Sequence, residues 1–475
     1  MRMSTIAHFT CAGDTASLIM GSWSTTVAFL VVTLSTVVIS TPLDQRSSKF
    51  FEQQTQEVPG EIQSFKSSES AEPELNDIDV TKVHYTGAQV WTISVEINRW
   101  GFVSELEDKN LISIYKTKSS SVDALIQAHQ IQEVKTALST KNLPFNIVIE
   151  DLQVLIDLEN PPLQENAIKP QKSVGHSMDW KRYHRLEDIH GFLDYLAEIF
   201  PDIASVQSIG KSVEGRDLKI IKISNGNPSN KAVFIDGGIH AREWISPATV
   251  TYFINQLAEN FKAESDDIKN IDWYFLPVLN PDGYEYTHTT NRMWRKNRRP
   301  GPNKRCVGVD LNRNFGYEWG GLGTSADPCS DIYKGEKPFS EPESEAILKF
   351  FQSGVKFSAY LTYHSYGQWI FYPWGYDSVL PPDAAELDTA GKNIAAAIKS
   401  TGQDVYTVGT AADLLYPAAG GSDDWAKSFG VKYSYTIELN DQGKYGFALP
   451  SQYIEAVAKE NLAGLRTLVA AIHEA

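Results

Sequence analysis

The sequence predicts an α/β protein in which a large domain, with helices on both sides of one sheet, follows a smaller α/β unit. From Asp179 to Ala475, short runs dense in apolar and aromatic residues alternate with long amphipathic helical patterns. Between residues 83 and 160, shorter apolar runs alternate with helical stretches on a smaller scale. The chain has 475 residues, a length that favours more than one domain.

The N-terminal segment belongs to neither domain. Residues 27–40 form the apolar run VAFLVVTLSTVVIS, which is too short to span a bilayer comfortably and is followed by polar sequence. This pattern predicts a signal peptide over residues 1–40, and therefore a secreted protein that is free of the membrane after cleavage. An uncleaved anchor is the alternative, and either Met1 or Met20 can be the start. Residues 41–82 are rich in Ser, Glu, Gln and Pro, which predicts a flexible segment.

The small unit combines strand and helix patterns over roughly 80 residues. Its predicted elements are the strands Gln89–Val95, Leu111–Tyr115 and Phe145–Ile149 and the helix Ile131–Lys141. The dipeptides Pro161-Pro162 and Lys169-Pro170 then indicate a linker.

The large domain contains four runs that are apolar throughout, which is typical of central strands buried on both faces. They are Val233–Asp236, Trp273–Val278, Ala359–Tyr363 and Tyr433–Ile437. Long amphipathic helices lie between them, and a C-terminal helix is predicted over Gln452–His473. No internal repeat interrupts this order.

Polar or ionisable residues stand at the ends of these four runs. His240 follows the first, Asn280 ends the second, His364 follows the third and Glu438 follows the fourth. In open α/β sheets, ligands bind outside the carboxyl ends of the strands. A single His at a strand end is usually structural, but four such residues together predict a functional site.

His240 has a close companion in Glu243, three residues further along a predicted turn. A neutral imidazole and a carboxylate both suit zinc, and His364 is the natural third ligand. Two His and one Glu leave coordination positions open, as catalytic zinc requires. The spacing alone is a weak signal, and the strand–turn–helix setting gives it weight.

Composition limits the possible partners. Apolar residues make up 42% of the chain and charged residues 21%, as in ordinary globular proteins. The formal net charge of −16 argues against a nucleic-acid partner, because the chain has no excess of Lys and Arg to neutralise phosphate. Cys11 lies in the predicted signal peptide, so Cys306 and Cys329 remain either as a pair or as two free thiols.

Several long motifs resemble the metallocarboxypeptidase A/B family, in the branch made as zymogens, and the B type is the more similar. In the large domain they are GGIHAREWISPAT, NPDGYEYTHTTNRMWRKNRR, VGVDLNRNFG, YHSYGQWIFYPWGY, YPAAGGSDDW and YSYTIELND. They follow in family order from about Asp179. In the small unit, AQVWTISV and IEDLQVLID are similar to the family's activation domain.

The resemblance implies a carboxypeptidase-like fold, in which a mixed twisted sheet has helices on both faces. It also implies a secreted zymogen that hydrolyses the C-terminal peptide bond of peptides or proteins, with one zinc ion per chain. We therefore expect an activation domain at 83–160, a linker at 161–172 and a catalytic domain at 173–475. An activating trypsin-like protease is expected to cut at Lys172-Ser173, since Pro170 makes Lys169 a poor site. We expect a monomer.

Site residues carried over from the family fall on matching motif positions. His240, Glu243 and His364 would bind zinc, and Asp310 would hydrogen-bond the first of these. Glu438 would be the catalytic carboxylate, and Arg295 would stabilise the oxyanion. Asn312 and Arg313 would bind the substrate's terminal carboxylate, and Tyr416 would be the mobile tyrosine that closes over it. Arg242, Tyr366 and Phe447 would belong to the neighbouring subsites. Cys306 and Cys329 would form a disulfide.

Substrate preference is expected to depend on Asp423, at the family position on the floor of the pocket for the C-terminal side chain. An Asp at this position accompanies B-type preference for Lys and Arg, whose charge pairs with a buried carboxylate. Gly375 departs from the Ser of typical B-type enzymes, so A-type or mixed specificity stays open.

Two competing hypotheses concern the activity as a whole. The first is a catalytically silent peptide-binding protein, and the second is a regulatory carboxypeptidase that is made active. The complete catalytic set, Glu438 above all, opposes the first. The activation-like domain opposes the second.

Overall fold

A computed structural model of the chain describes most of the two predicted domains. The described residues are 82–96, 99–118, 120–161, 176–304 and 306–474. All of them belong to one compact unit that spans Asp77–Ala475. The predicted signal peptide, the polar segment apart from Lys82, and the linker apart from Pro161 lie outside the described residues, as do Lys172 and Ser173. The predicted domain boundaries therefore stay predictions.

The small domain, residues 82–161, is built on an antiparallel sheet. Along the chain it contains β1 (Gln89–Ser94), α1 (Trp100–Asp108), β2 (Ser113–Lys118), β3 (Ser121–Ile126), α2 (Ile131–Thr140), β4 (Phe145–Ile149) and α3 (Leu152–Glu159). The strand order is β2-β3-β1-β4. Trp91 and Val122 on the strands share one apolar core with Val103 on α1 and Leu138 on α2.

The sequence pattern predicted three of these elements to within one residue: β1, α2 and β4. The strand predicted at Leu111–Tyr115 was wrong in its bounds. The amide of Leu111 donates to the carbonyl of Leu106, so Leu111 closes the end of α1 and β2 begins only at Ser113. Strand β3 was not predicted, because Asp123 interrupts its apolar run.

The large domain, residues 176–474, is built on an eight-stranded mixed sheet. Its strands are β5 (Ala204–Lys211), β6 (Asp217–Ile223), β7 (Lys231–Gly237), β8 (Ile271–Leu276), β9 (Phe357–Ser365), β10 (Trp369–Tyr372), β11 (Thr407–Thr410) and β12 (Tyr433–Leu439). The order across the sheet is β11-β10-β12-β9-β7-β8-β6-β5. The central strands β12, β9, β7 and β8 run parallel, and β6 and β10 join them antiparallel.

Helices cover both faces of this sheet, as expected. They are α4 (Leu186–Ile199), α5 (Ile245–Asn260), α6 (Asp266–Lys269), α7 (Pro281–Thr289), α8 (Pro342–Phe351), α9 (Ala384–Gly402), α10 (Ala411–Leu414), α11 (Ser422–Ser428) and α12 (Ile454–Glu474). Strand β7 shows why both faces are apolar. Val233 and Ile235 pack with α4, α5, α9 and α12, whereas Phe234 packs with α8 and α11. Within the described residues, no helix combines the length and apolarity needed to cross a membrane.

The register of the central strands brings the predicted site residues to one edge. Glu438 on β12 pairs with His364 on β9, and β9 in turn pairs with β7, which ends just before His240. His364 and Glu438 do not follow their strands, as the sequence pattern suggested. Each is the last residue but one within its strand, because backbone pairing continues past the apolar run.

Candidate active site

The turn between β7 and α5 positions His240 and Glu243. Gly238 allows this turn, since its φ is 64° and an added Cβ would lie 3.0 Å from Pro247. Nδ1 of His240 lies 2.8 Å from Oε1 of Glu243. Nδ1 of His364 lies 3.1 Å from Nδ1 of His240 and 3.1 Å from Oε2 of Glu243. These three buried side chains therefore direct their ligand atoms at one point.

The geometry of this metal cluster, His240, Glu243 and His364, fits zinc. Ligands about 2.0–2.2 Å from a tetrahedral zinc are separated from one another by roughly 3.3 Å. The ligand atoms here are 2.8–3.1 Å apart, so a small adjustment accommodates the ion. Two imidazoles and one carboxylate leave a coordination position for water or substrate.

The electrostatics of the cluster favour positive charge at its centre. Burial raises the pKa of Glu243, but the charges of His240 and His364 outweigh burial and hold that pKa far below its usual range. Burial is the largest single influence on His364 and lowers its pKa, but the charge and hydrogen bond of Glu243, together with the charges of Glu438 and Asp236, outweigh burial and raise that pKa to about 9. A divalent cation supplies the positive charge that the carboxylate attracts.

Asp310 supports His240 from behind the cluster. Nε2 of His240 lies 3.2 Å from Oδ1 of Asp310, whose second oxygen accepts a 2.9 Å hydrogen bond from Nη2 of Arg295. Burial raises the pKa of Asp310, but Arg295 and His240 outweigh burial and keep that pKa well below its usual range. An ionised Asp310 thus holds the imidazole with Nδ1 facing the cluster.

One cleft brings together most of the predicted site residues. It is lined by His240, Glu243, Arg295, Asn312, Arg313, His364, Tyr366, Tyr416, Asp423, Glu438 and Phe447. Burial raises the pKa of Glu438 to about 7, and the nearby Glu243 adds to this while His364 opposes it. A carboxylate with such a pKa can exchange a proton near neutral pH.

Cationic and hydroxyl groups stand on the other wall of the cleft. Nη2 of Arg313 donates a 3.0 Å hydrogen bond to Oη of Tyr416, which lies on an irregular loop between α10 and α11. Oδ1 of Asn312 accepts a 2.9 Å hydrogen bond from the amide of Ser422. A planar guanidinium in this position can bind a carboxylate through two hydrogen bonds.

The floor of the cleft carries a buried carboxylate. Asp423 is 7% exposed, and burial raises its pKa. In the described part of the chain, no Lys or Arg forms an ion pair with it. The neighbouring Asp424 is used differently, because its oxygens accept hydrogen bonds of 2.8–3.0 Å from the amides of Gly375 and Tyr376. Asp423 has a hydrogen bond with Thr436 but no cationic partner among the described residues, so it is the acidic group that can pair with a charged ligand.

The small domain also reaches this cleft. Lys116, on β2, lines it, and its Nζ lies 3.9 Å from the ring centre of Trp369 and 4.6 Å from that of Tyr366. Burial lowers the pKa of Lys116 to about 8. Lys116 was not predicted as a site residue. A lysine in a short polar strand gives no indication that it will be buried against another domain.

Two further residues of the small domain contact the predicted subsite residues. Oη of Tyr366 donates a 3.3 Å hydrogen bond to Oδ2 of Asp123. The guanidinium of Arg242 lies beside two aromatic rings that also contact each other, 4.7 Å from the ring centre of Tyr115 and 4.3 Å from that of Phe447. The small domain thus covers the side chains expected to bind the substrate.

A buried ion pair joins the two domains beside the cleft. Glu159, the last residue of α3, is 1% exposed and accepts hydrogen bonds from Nε and Nη2 of Arg292, the former 2.7 Å long. The Arg292 guanidinium also lies 3.8 Å from the ring of Trp244 and donates to the carbonyl of Phe447. Removing one member of such a pair typically costs about 3–5 kcal/mol, because the other charge stays buried.

Asn280 is the predicted strand-end residue that does not join the site. Its Oδ1 caps α7 by accepting from the amide of Gly283, and its Nδ2 donates to the carbonyls of Ile239 and Lys296. A side chain with all these backbone partners holds loops together. Asn280 was expected to end its strand, but β8 ends at Leu276, and Asn280 does not line the cleft.

A disulfide joins Cys306 and Cys329, as the resemblance implies. The enclosed segment carries Asp310, Asn312 and Arg313. The cross-link therefore restrains the stretch of chain that supports His240 and presents Arg313 to the cleft.

Models of known protein families match both domains. The model described as zinc carboxypeptidase matches residues 189–464, which contain the metal cluster, Glu438 and Asp423. The model described as carboxypeptidase activation peptide matches residues 100–159, which contain Lys116 and Glu159.

Individual relatives match most of the large domain or most of both domains. Carboxypeptidase B of Astacus astacus is 45% identical over 294 residues, covering 61% of this chain and 97% of that protein. Carboxypeptidase A4 of Mus musculus is 38% identical over 400 residues, covering 81% of this chain and 93% of that protein. The crystal structure of carboxypeptidase A from Helicoverpa armigera superimposes with a TM-score of 0.75 at 31% identity, covering 82% of this chain and 98% of that one.

Proposed function

Since this chain belongs to the zinc carboxypeptidase family and carries the family's activation peptide, we propose that it is a secreted zymogen which, once cleaved, removes C-terminal Lys and Arg residues from peptides. One observation carries the proposal. The metal cluster, Glu438, Arg313 and Asp423 all face a single cleft. That cleft offers a group for each part of a peptide's C-terminal residue.

Hydrolysis requires an activated water, a stabilised oxyanion and a protonated leaving group. His240, Glu243 and His364 would hold zinc, which would supply Lewis acidity for the attack of water on the scissile carbonyl. Glu438 takes a proton from the attacking water and delivers it to the leaving amine nitrogen. Arg295, held by Asp310, stabilises the negative charge that develops on the carbonyl oxygen.

Restriction to the chain end follows from a carboxylate clamp. Arg313 and Asn312 bind the terminal carboxylate of the substrate, and the Tyr416 loop closes over it. An internal peptide bond has no such carboxylate to offer. Arg242, Tyr366 and Phe447 line the path of the preceding residues.

The Lys/Arg preference rests on Asp423. A buried carboxylate without an ion-pair partner gains most from a substrate ammonium or guanidinium. The relatives include both A-type and B-type enzymes, so A-type or mixed specificity is the alternative. Gly375 keeps that alternative open, because it leaves the cleft wall without a side chain at this position. The space would hold one, since an added Cβ would make only ordinary contacts of 3.5 Å or more.

Latency follows from the contacts of the small domain. Tyr115 and Lys116 line the cleft, and Asp123 accepts a hydrogen bond from Tyr366 within it. The Glu159–Arg292 ion pair anchors the domain beside the cleft. A peptide chain cannot reach Tyr366 and Arg242 while these contacts persist. Proteolytic removal of the domain exposes the cleft, and the free enzyme acts as a monomer.

We expect limited trypsin treatment to convert the chain into a stable fragment that begins at Ser173, with peptidase activity rising as the fragment forms. Lys172 is followed by Ser173, whereas Pro170 protects the bond after Lys169. N-terminal sequencing identifies the fragment. The release of arginine from a peptide ending in Arg, measured after trypsin is inhibited, gives the peptidase activity at the same time points.

Two lysine variants make this test specific. Lys172→Gln should delay both the fragment and the activity, and Lys169→Gln should behave as the unaltered chain. Full activity in the uncut protein would show that the small domain does not inhibit. Activation of Lys172→Gln at the normal rate would show that the activating cleavage occurs at another bond.

A further inference from the structure

The second histidine of the metal cluster has a support that differs from the first. Nε2 of His364 lies 3.2 Å from Oγ1 of Thr362. The Thr362 hydroxyl in turn donates a 2.7 Å hydrogen bond to Oδ1 of Asp236. The three side chains are buried, with exposures of 1%, 0% and 0%. They form a hydrogen-bonded chain that leads from the cluster into the sheet.

This hydrogen-bonded series of side chains results from the alternation of side chains along β9 and from the register of β9 with β7. Tyr360, Thr362 and His364 are two residues apart on β9, so their side chains share one face of the sheet. Thr362 is the direct partner of Asp236 on the parallel neighbour β7. The same sheet edge that presents His364 therefore also sets a carboxylate and a hydroxyl behind it.

The donor and acceptor roles within the chain are determined by its end groups. Oδ2 of Asp236 accepts from Oη of Tyr360 at 2.5 Å, and its other oxygen accepts from Thr362. Since the Thr362 hydroxyl donates its one proton to Asp236, it can only accept a hydrogen bond from His364. Nε2 of His364 must then carry a proton, which leaves the lone pair on Nδ1, the atom that faces Glu243.

We propose that Thr362 and Asp236 are positioning residues for zinc, which fix the His364 ring and its tautomer through a hydroxyl relay. The inference rests on the metal site proposed above. It assigns to His364 the kind of support that Asp310 gives directly to His240, with one hydroxyl inserted between carboxylate and imidazole. Such partners strengthen the basicity of a metal-binding imidazole.

The test compares zinc affinity in three variants of the full chain, measured by competition with a chromophoric chelator after metal removal. Thr362→Val keeps the shape of the side chain and loses the hydroxyl, so zinc affinity should fall about 10- to 100-fold. Thr362→Ser keeps the hydroxyl and loses the methyl group, so affinity should stay near that of the unaltered chain. Melting temperatures of the metal-free proteins show that each variant is folded.

Tyr360→Phe is the matched structural control. It also removes one hydrogen bond from Asp236 and should lower the melting temperature, yet it leaves the relay from Thr362 to His364 intact, so zinc affinity should hold. Equal affinities in Thr362→Val and the unaltered chain would overturn the relay. An equal loss in Thr362→Ser and Thr362→Val would assign the effect to packing and overturn it as well. Failure of the unaltered chain to bind zinc would instead refute the metal site itself.

Discussion

Replacement of Glu438 by Gln is expected to lower kcat by about 10²- to 10⁴-fold, the contribution typical of a general acid–base group. The amide has nearly the same shape as the carboxylate and cannot take the proton from water. Glu438 is not one of the three ligands, so zinc content should stay at one ion per chain. Activity on a peptide ending in Arg and zinc content are measured on the trypsin-treated variant.

The matched control is Glu460→Gln. Glu460 is also a buried carboxylate whose pKa burial raises to about 7, but it lies on α12, and Asp404 is its charged neighbour. Its replacement should leave kcat unchanged within a factor of about two. Near-normal turnover in Glu438→Gln would exclude Glu438 as the base, and a simultaneous loss of zinc would assign it a structural role instead.

Replacement of Asp423 by Ile should reverse the substrate preference. For peptides ending in Arg, kcat/KM should fall roughly 30- to 5,000-fold, because the substrate's charge is then buried without a partner. This corresponds to a loss of about 2–5 kcal/mol of transition-state stabilisation. Activity on peptides ending in Phe or Leu should rise, since the desolvated carboxylate no longer opposes an apolar side chain. The measurement is kcat/KM on peptides that differ only in their last residue.

Asp424→Asn distinguishes between the two adjacent acids. Its side chain holds the amides of Gly375 and Tyr376, so the variant should still prefer Arg even if it is less stable. If Asp423→Ile kept the same preference for Arg, another residue would determine specificity. If Asp424→Asn reversed the preference, the acidic determinant would be Asp424.

Much of the large domain was predictable because its central strands are apolar on both faces. Their sequence runs indicate buried strands without reference to any partner, and the topology of parallel strands then gathers their ends. His240, His364 and Glu438 were found in this way. The same reasoning misjudged Asn280, because a strand-end position does not reveal whether a side chain faces the cleft or caps a helix.

The contacts between domains were not predictable from local patterns. Lys116 and Asp123 interrupt short strands, where polar residues usually face solvent. Their burial depends on how the small domain docks against the large one. The relay from Asp236 to Thr362 depends likewise on strand register, which joins residues far apart in the chain.

We propose above a zinc-dependent exopeptidase that prefers C-terminal Lys and Arg and is latent before cleavage. The most direct measurement is the release of amino acids from four peptides that differ only in a final Arg, Lys, Phe or Leu, before and after trypsin treatment, with and without a zinc chelator. We expect only the cleaved, zinc-bearing protein to release single residues, and we expect Arg and Lys to be released faster than Phe and Leu. Release of internal fragments, activity that survives complete zinc removal, or faster release of Phe and Leu would contradict it.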